Sequence, residues 1–518
     1  MSIKYPIGIQ NFEKLRKDGY IYVDKTALMY QLVDRGSYYF LSRPRRFGKS
    51  LLISTLEAYF EGKRELFEGL AVEKLEKDWV KRPVLHLDLN TQKYDTPESL
   101  VDILNATLTR WEQMYGSEPS EVGPALRFQG IIRRAHEKTG HRVAILVDEY
   151  DKPMLQAIGN EELQQSFRST LQAFYGALKT MDGYIKFAFL TGVTKFGKIS
   201  VFSALNNLKD MSMDERYIDI CGITEREIHL YFEEVLHALA NKQGMTYEET
   251  CAELKERYDG YHFTENSIGI YNPFSLLNTF DQLKFGNYWF ETGTPTYLVE
   301  LLKMHNYDLH NIENVETDED TLNSIDSSST NPIPVIYQSG YLTIKDYDRR
   351  FGTYYLGFPN REVEEGFMKF LLPFYTDTDK VDVAFHITKF VREVENGDYD
   401  AFFRRLQSFF ADTPYELVRD LELHYQNVLF IVYKLIGFYV KAEYHTSQGR
   451  IDLLLQTDKF IYVMEFKFEG TAEEALRQID EKNYALPFAS DPRKLFKIGI
   501  NFSNEMRNIG RWVVETAI

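Results

Sequence analysis

Tyr38-Tyr39-Phe40-Leu41-Ser42-Arg43-Pro44-Arg45-Arg46-Phe47-Gly48-Lys49-Ser50 runs from five β-forming residues through a basic loop to Gly-Lys-Ser. The next ten residues, Leu51 to Phe60, carry apolar side chains at helical spacing. Strand, loop and helix in this order build a phosphate cradle from backbone N–H groups and a helix N-terminus. In such a loop Lys49 reaches the β- and γ-phosphates of ATP, and the Ser50 hydroxyl ligates Mg²⁺. Arg45, Arg46, Phe47, Gly48 and Leu51 complete the nucleotide-binding set. The general pattern wants glycine five residues before Gly48, and Arg43 stands there, which makes the loop strongly basic. Arg43, Arg45 and Arg46 are expected to contact phosphate. Action on a neighbouring subunit's nucleotide in a homo-oligomer, or simple solvation, are the alternatives. The plainer reading of the whole stretch is a helix N-terminus that happens to carry Lys and Ser.

A second element argues against that plainer reading. Val143-Ala144-Ile145-Leu146-Val147-Asp148-Glu149 is a buried-strand run ending in two acids. Asp148 suits Mg²⁺ held through water, and Glu149 suits orientation or deprotonation of an attacking water. The runs 83–89 and 185–192 supply further strands, the second followed by Thr194, a candidate γ-phosphate sensor or strand cap. The sequence thus predicts a parallel α/β sheet with a P-loop.

Near the other end lie Gly449-Arg450-Ile451-Asp452-Leu453-Leu454-Leu455-Gln456 and Phe460-Ile461-Tyr462-Val463-Met464-Glu465-Phe466-Lys467, separated by a polar turn. Both halves are short apolar runs, so antiparallel pairing follows. With Asp458-Lys459 as the loop, Gln456 faces Ile461 and Asp452 faces Glu465. Like charges directly opposed are destabilising, which points to Mg²⁺ between them, since that ion takes one or two carboxylates plus water and phosphate oxygens. Lys467, two residues on, shares a face with Glu465 and could stabilise charge on a phosphate. An amphipathic hairpin with solvated charges is the alternative. The near-continuous apolar character of both strands speaks against it, because it predicts that both sheet faces are covered.

The chain is similar to bacterial AAA-ATPase-like domain proteins that carry a C-terminal PD-(D/E)XK nuclease-like domain. The resemblance rests on residues 22–26 (Tyr22-Val23-Asp24-Lys25-Thr26), the 43–50 loop, 146–153, 337–344 and 356–360, and on Asp452, Glu465 and Lys467. It implies an AAA-like P-loop core with a helical lid and a small winged-helix-like module, followed by a nuclease-like α/β domain. It also implies Mg²⁺-dependent phosphodiester hydrolysis, with DNA the expected substrate, and ATP as the second cofactor. In such nucleases the helix after the hairpin, here expected over 472–485, often supplies a further group: Gln478 first, then Lys482 or Tyr484. Glu422, on a helix expected over 414–435, and Glu443 are looser acidic candidates. A regulatory ATPase switch whose nuclease-like domain binds nucleic acid or protein without cutting is the second reading, and a remodeller of protein partners the third.

Length and charge agree with several domains. At 518 residues the chain exceeds one ordinary core, and the expected division is 1–215 (ATPase core), 216–360 (helical lid and linker module) and 361–518 (nuclease-like domain). The net charge of −17 excludes a protein that coats nucleic acid through general basicity, but not one with a local groove. Cys221 and Cys251 have no metal-ligand spacing, the N-terminus lacks an apolar signal core, and no run is long enough for a membrane span. A cytoplasmic location is expected. Residues 11–34 are expected near the adenine, and Thr224 with Glu227 reads as a capping pair opening the helical region. The acidic, Ser-rich stretch 313–331 reads as an exposed loop, His136 and His141 as surface residues, and His262 as lacking a chemical partner.

Overall fold

The computed structural model describes residues 3–517 except 196–200, 202–204, 206, 292–295, 324–330, 377, 380, 412–420, 448–449 and 504. The side chains of 291, 296, 297, 300, 444–447, 450–452 and 517 also lie outside the description. The chain divides into two compact units, 1–292 with 314–362, and 293–313 with 363–518.

The first unit is built on a five-stranded sheet of β1 (Tyr38–Ser42), β2 (Val84–Asp88), β3 (Val143–Asp148), β4 (Ile185–Gly192) and β5 (Lys209–Asp210). Their order is β2-β3-β4-β1-β5 and every pairing is parallel. Every residue of β1 and β3 is buried, as expected for strands covered by crossover helices on both faces. The helices Lys49–Phe60, Pro97–Tyr115, Pro124–Thr139 and Glu161–Thr180 make those crossovers. The register sets Ser42 beside Gly192 and Asp88 beside Asp148. The carboxyl ends of four strands therefore form one edge, the place where open α/β sheets bind ligands.

After this sheet come the helices Glu225–Tyr231, Glu233–Gln243, Tyr247–Tyr258 and Pro273–Gln282. The first begins at Thr224 with a complete capping box to Glu227, as its sequence predicts, and the third repeats the device with Thr246 and Glu249. Their shared core includes Ile228, Phe232, Leu236, Leu254, Leu276 and Phe280, and the N-terminal residues Tyr5, Ile7, Ile21 and Val23 pack against it.

One expectation changes here. The acidic stretch is not simply an exposed loop, because Val315–Thr317 is a strand (β6) and Glu319–Asn323 a helix. Val315 and Leu322 are buried, and two apolar anchors outweigh the surrounding charge. Ser327-Ser328-Ser329 lie outside the described residues. Within 332–358, Ile333–Gln338 is helical, ahead of a hairpin of β7 (Thr343–Asp348) and β8 (Thr353–Gly357); β6 joins it in the order β6-β8-β7.

The second unit carries a mixed sheet of β9 (Lys441–Ser447), β10 (Arg450–Gln456), β11 (Phe460–Lys467), β12 (Lys494–Ser503) and β13 (Asn508–Ala517), ordered β13-β12-β11-β10-β9. Only β11 and β12 pair in parallel. One face is covered by the Ala472–Glu481 helix, where Ile479 and Leu476 meet Ile461, Val463 and Leu495. On the other, Tyr462 donates to the Val394 carbonyl at 2.5 Å and Phe466 packs near Phe403 and Phe502. Both faces are covered, as the apolar runs predict. The helix expected over 414–435 is observed as Leu421–Gly437, with 412–420 outside the described residues. Among the described residues, no helix is long and apolar enough to cross a membrane.

Gly499 sits at the closest approach of helix and sheet. A Cβ there would fall 2.1 Å from the Ala472 carbonyl oxygen and 2.4 Å from the Leu476 nitrogen, both of them backbone atoms that cannot swing away. Gly499→Ala is expected to push the helix off the sheet and cost about 1–3 kcal/mol, read as a lowered urea midpoint for the second unit's transition.

Candidate functional site

The loop after β1 is shaped by a buried cation. Arg43 is 1% exposed; its guanidinium donates to the carbonyls of Ser42 (2.9 Å), Ser212 (2.7 Å) and Tyr217 (3.4 Å) and lies 3.9 Å from the centre of the Phe263 ring. Arg43 is therefore turned into the protein, which corrects the expectation that it contacts phosphate. Burial lowers its pKa to about 10, so it stays charged at neutral pH. Phe47 is also inside, packed edge-on against Tyr261 and Phe263. Between these two anchors Arg45 is half-buried and Arg46 exposed, the latter with a left-handed backbone (φ 68°) and its guanidinium 5.1 Å from the Phe274 ring.

Gly48 (φ 94°) precedes the first turn of the Lys49–Phe60 helix, a conformation that glycine adopts without strain. Apart from its chain neighbours, no atom lies within 4 Å of where its Cβ would be, so the space beside Gly48 at the helix start is open. Lys49 is 4% exposed; its Nζ donates to the carbonyls of Arg43 (3.0 Å) and Pro44 (3.2 Å) and stands 3.7 Å from Glu149 Oε1. Ser50 is half-buried in the first turn and Leu51 follows it.

At the end of β3, Asp148 is held by the Thr191 hydroxyl, which donates to its Oδ1 at 2.6 Å. Glu149 has a left-handed backbone (φ 55°), an unfavourable conformation for a residue with a Cβ and one that clusters at functional sites. Thr194 is fully buried and donates through its hydroxyl (2.7 Å) and backbone N–H (2.6 Å) to Asp151 Oδ2. Its observed contact ties two strand ends together. Sequence reading gave Asp151 no role, although it sits two residues beyond Glu149. Burial first, then the charge of Glu149, raises its pKa to about 6 despite the Thr194 hydrogen bonds.

Beside the loop lies a cavity of about 100 Å³ walled by Tyr22, Val23, Phe47, Leu51, Ile223 and Leu277 among others. Part of the 11–34 segment thus borders the loop. Lys25 pairs with the buried Glu227 at 2.6 Å, which joins the same segment to the capping box of the helical region. His262 does have a partner: its Nδ1 lies 2.8 Å from the Ser267 carbonyl oxygen. His136 is half-buried, its ring against Tyr184.

In the second unit the hairpin register is the one counted from the turn: Gln456 beside Ile461 and Asp452 beside Glu465. The turn is closed by Thr457, whose N–H donates to the Phe460 carbonyl at 2.8 Å. Glu465 is fully buried and lies beside Gly499, directly under the helix. Lys467 is half-buried. The Asp452 side chain lies outside the described residues, and among those described no three His, Cys, Asp or Glu side chains group to hold a metal. Gln478 is half-buried on the Ala472–Glu481 helix, Lys482 ends it exposed, and Tyr484 joins the apolar cluster beneath it. Glu443 is two register steps from Asp452 and pairs with Lys441 at 3.1 Å. Glu422 accepts from Gln426 at 3.2 Å.

Asp151 generates a pH prediction. Its folded-state pKa near 6 exceeds the ordinary 3.8, so between these values the folded chain holds a proton that the unfolded chain has lost. The stability this contributes is full below about pH 4 and lost as pH rises through 6, by about 3 kcal/mol. Asp151→Asn cannot ionise; urea unfolding between pH 4 and 7.5 should show the wild type losing that amount relative to the variant.

Residues 6–202 match the family described as "Predicted AAA-ATPase", and residues 420–512 match the PD-(D/E)XK nuclease superfamily. An Azotobacter chroococcum mcd 1 protein described as "Uncharacterized protein in vnfD 5'region" is 36% identical over 525 residues, covering 99% of each chain. The chain belongs to the AAA-ATPase-like family that carries a PD-(D/E)XK nuclease superfamily domain at its C-terminal end.

Proposed function

We propose that this protein is an ATPase coupled to a Mg²⁺-dependent nuclease that hydrolyses phosphodiester bonds in DNA. The observation that carries the nuclease half is the register that sets Asp452 beside Glu465, with Lys467 two residues on in the same strand. Two acids at one position of a buried hairpin suit a divalent ion better than solvent. The ion would supply Lewis acidity and a more acidic bound water. Lys467, placed on the Glu465 face, would offset charge growing on the phosphate.

For the ATPase half, the support is the open space beside Gly48 at the helix start and the ammonium of Lys49 poised on loop carbonyls. Lys49 would exchange those carbonyls for phosphate oxygens, Ser50 and Asp148 would hold Mg²⁺, and Glu149 would act on the attacking water. The apolar cavity lined by Tyr22 and Val23 is sized for part of a nucleobase. Nucleotide would gate cleavage through its different affinity for two arrangements of the chain. A homo-oligomer, with the exposed Arg46 turned to a neighbour's nucleotide, is compatible with this scheme.

The test separates the two halves. Lys49→Ala should remove ATP binding at the loop, read by calorimetry as the loss of that site's binding event. Asp452→Ala and Lys467→Ala should leave it intact while lowering Mg²⁺-dependent DNA cleavage about 10²–10³-fold. Unchanged metal-dependent cutting by purified Asp452→Ala would remove the nuclease assignment and leave a nucleotide-dependent switch.

A further inference from the structure

The first unit has a second cleft, at the opposite edge of its parallel sheet from the phosphate loop. Arg82 and Pro83 run into the start of β2, His141 and Arg142 into the start of β3, and Lys186 is the second residue of β4. These are amino ends of strands whose carboxyl ends carry Asp88, Asp148 and Gly192. The cleft encloses about 670 Å³, within the range of small-molecule sites. Lys81, Arg82, Arg110 and His86 line it, together with Glu57 of the Lys49–Phe60 helix, Glu61 just past the helix end, and an apolar wall of Trp111, Met114 and Tyr115.

Its charges do not balance internally. Glu57 is engaged by His86 (Oε2 to Nδ1, 3.3 Å) and Glu61 by Lys63 (2.7 Å). Among the described residues no carboxylate forms an ion pair with Lys81, Arg82 or Arg110, nor with the neighbouring Arg142 and Lys186; the one side-chain hydrogen bond of Arg110 is to Thr107 at 3.4 Å. Arg82 and Lys186 are half-buried. Both have lowered pKa values, through burial first and then the charge of Arg142 for Arg82, and those of Arg82 and Arg142 for Lys186. A chain of net charge −17 has ample acids to neutralise such a group, yet it gathers cations here against their mutual repulsion. Guanidinium forks match phosphate oxygens in geometry and charge, and the adjoining aromatic wall offers a surface to a planar ring.

We propose that this cleft binds a nucleoside phosphate, with Arg82 and Arg110 on the phosphate and the Trp111–Tyr115 wall against the base. It is a site separate from the loop that holds Lys49, and it lies where a bound ligand would touch the C-terminal half of the Lys49–Phe60 helix through Glu57, and Glu61 just past its end. Occupancy there is thereby linked to the element that opens the phosphate loop.

The full-length wild type, Lys49→Ala, Arg82→Ala, Arg110→Ala and the Lys49→Ala/Arg82→Ala double variant are titrated calorimetrically with AMP, ATP, pyrophosphate and a single-stranded deoxyoligonucleotide. Thermal unfolding midpoints verify that each variant folds, and Arg82→Gln serves where Arg82→Ala does not. The expected result is nucleotide binding that survives Lys49→Ala and weakens at least tenfold on adding Arg82→Ala, with Arg110→Ala acting in the same direction. Loss of all nucleotide binding in Lys49→Ala overturns the second site while upholding the loop. Binding that is weakened by Arg82→Ala and Arg110→Ala but untouched by Lys49→Ala upholds this cleft and overturns the loop reading. Nucleotide binding indifferent to both arginines overturns the cleft, as does binding of the oligonucleotide alone, and pyrophosphate binding as tight as ATP overturns the base contact.

Discussion

Arg43 leaves β1 and at once turns its charge inward, onto the carbonyl oxygens of Ser42 and Ser212 and the face of Phe263. A buried cation is costly unless its donors are used; here carbonyl dipoles and an aromatic ring offset the loss of water. The arrangement fixes where the loop begins, because the residue at its first position is stitched to the segment following β5. The carbonyls of Arg43 and Pro44 are thereby presented to Lys49 Nζ. A loop that lacks the expected glycine is closed from behind by a side chain, and the ammonium, the helix start and the strand end facing them all take their places from that closure.

That strand end brings a different constraint. Parallel pairing delivers Asp88, Asp148 and, just beyond, Glu149 and Asp151 to one edge, where Lys49 is the ammonium that meets Glu149. Burial first, and then the nearby charge of Glu149, raises the proton affinity of Asp151. Two of these acids are held by hydroxyl donors: Asp148 by Thr191 and Asp151 by Thr194. Both donors come from the end of β4 or just after it, so the geometry of two acids at and just beyond the end of β3 is set by the neighbouring strand.

Four strands of the parallel sheet and the β10–β11 hairpin were legible because apolar runs bounded by turn residues carry their own lengths: 38–42 and 185–192 are observed as read, whereas β5, β9, β12 and β13 went unread. The hairpin register was legible because a two-residue loop leaves no freedom in the count. What escaped was whatever tertiary contact decides. Arg43 reads as a phosphate ligand by its neighbours in sequence, and only the residues around 212–217 and 263, brought in by the fold, turn it inward. Asp151 looks like one more surface acid after a strand until β4 supplies its donors. Residues 315–323 look like acidic loop because two apolar anchors among many charges give no periodic signal, yet β8 is there to receive them.

In the second sheet a single absence of side chain governs the candidate metal row. Reading across the strands, His445, Asp452, Glu465 and Gly499 occupy one register line. Gly499 has no Cβ, so the helix backbone descends to contact at that point, and Glu465 is sealed from water beside it. An ionised carboxylate in such a place loses several kcal/mol of solvation, and a fold keeps it only where another interaction restores that energy or where its position is worth the cost. The helix backbone that descends over Gly499 confines the buried Glu465 side chain to a narrow range of positions. The metal role proposed for Glu465 calls for this fixity more than for exposure, and helix packing supplies it.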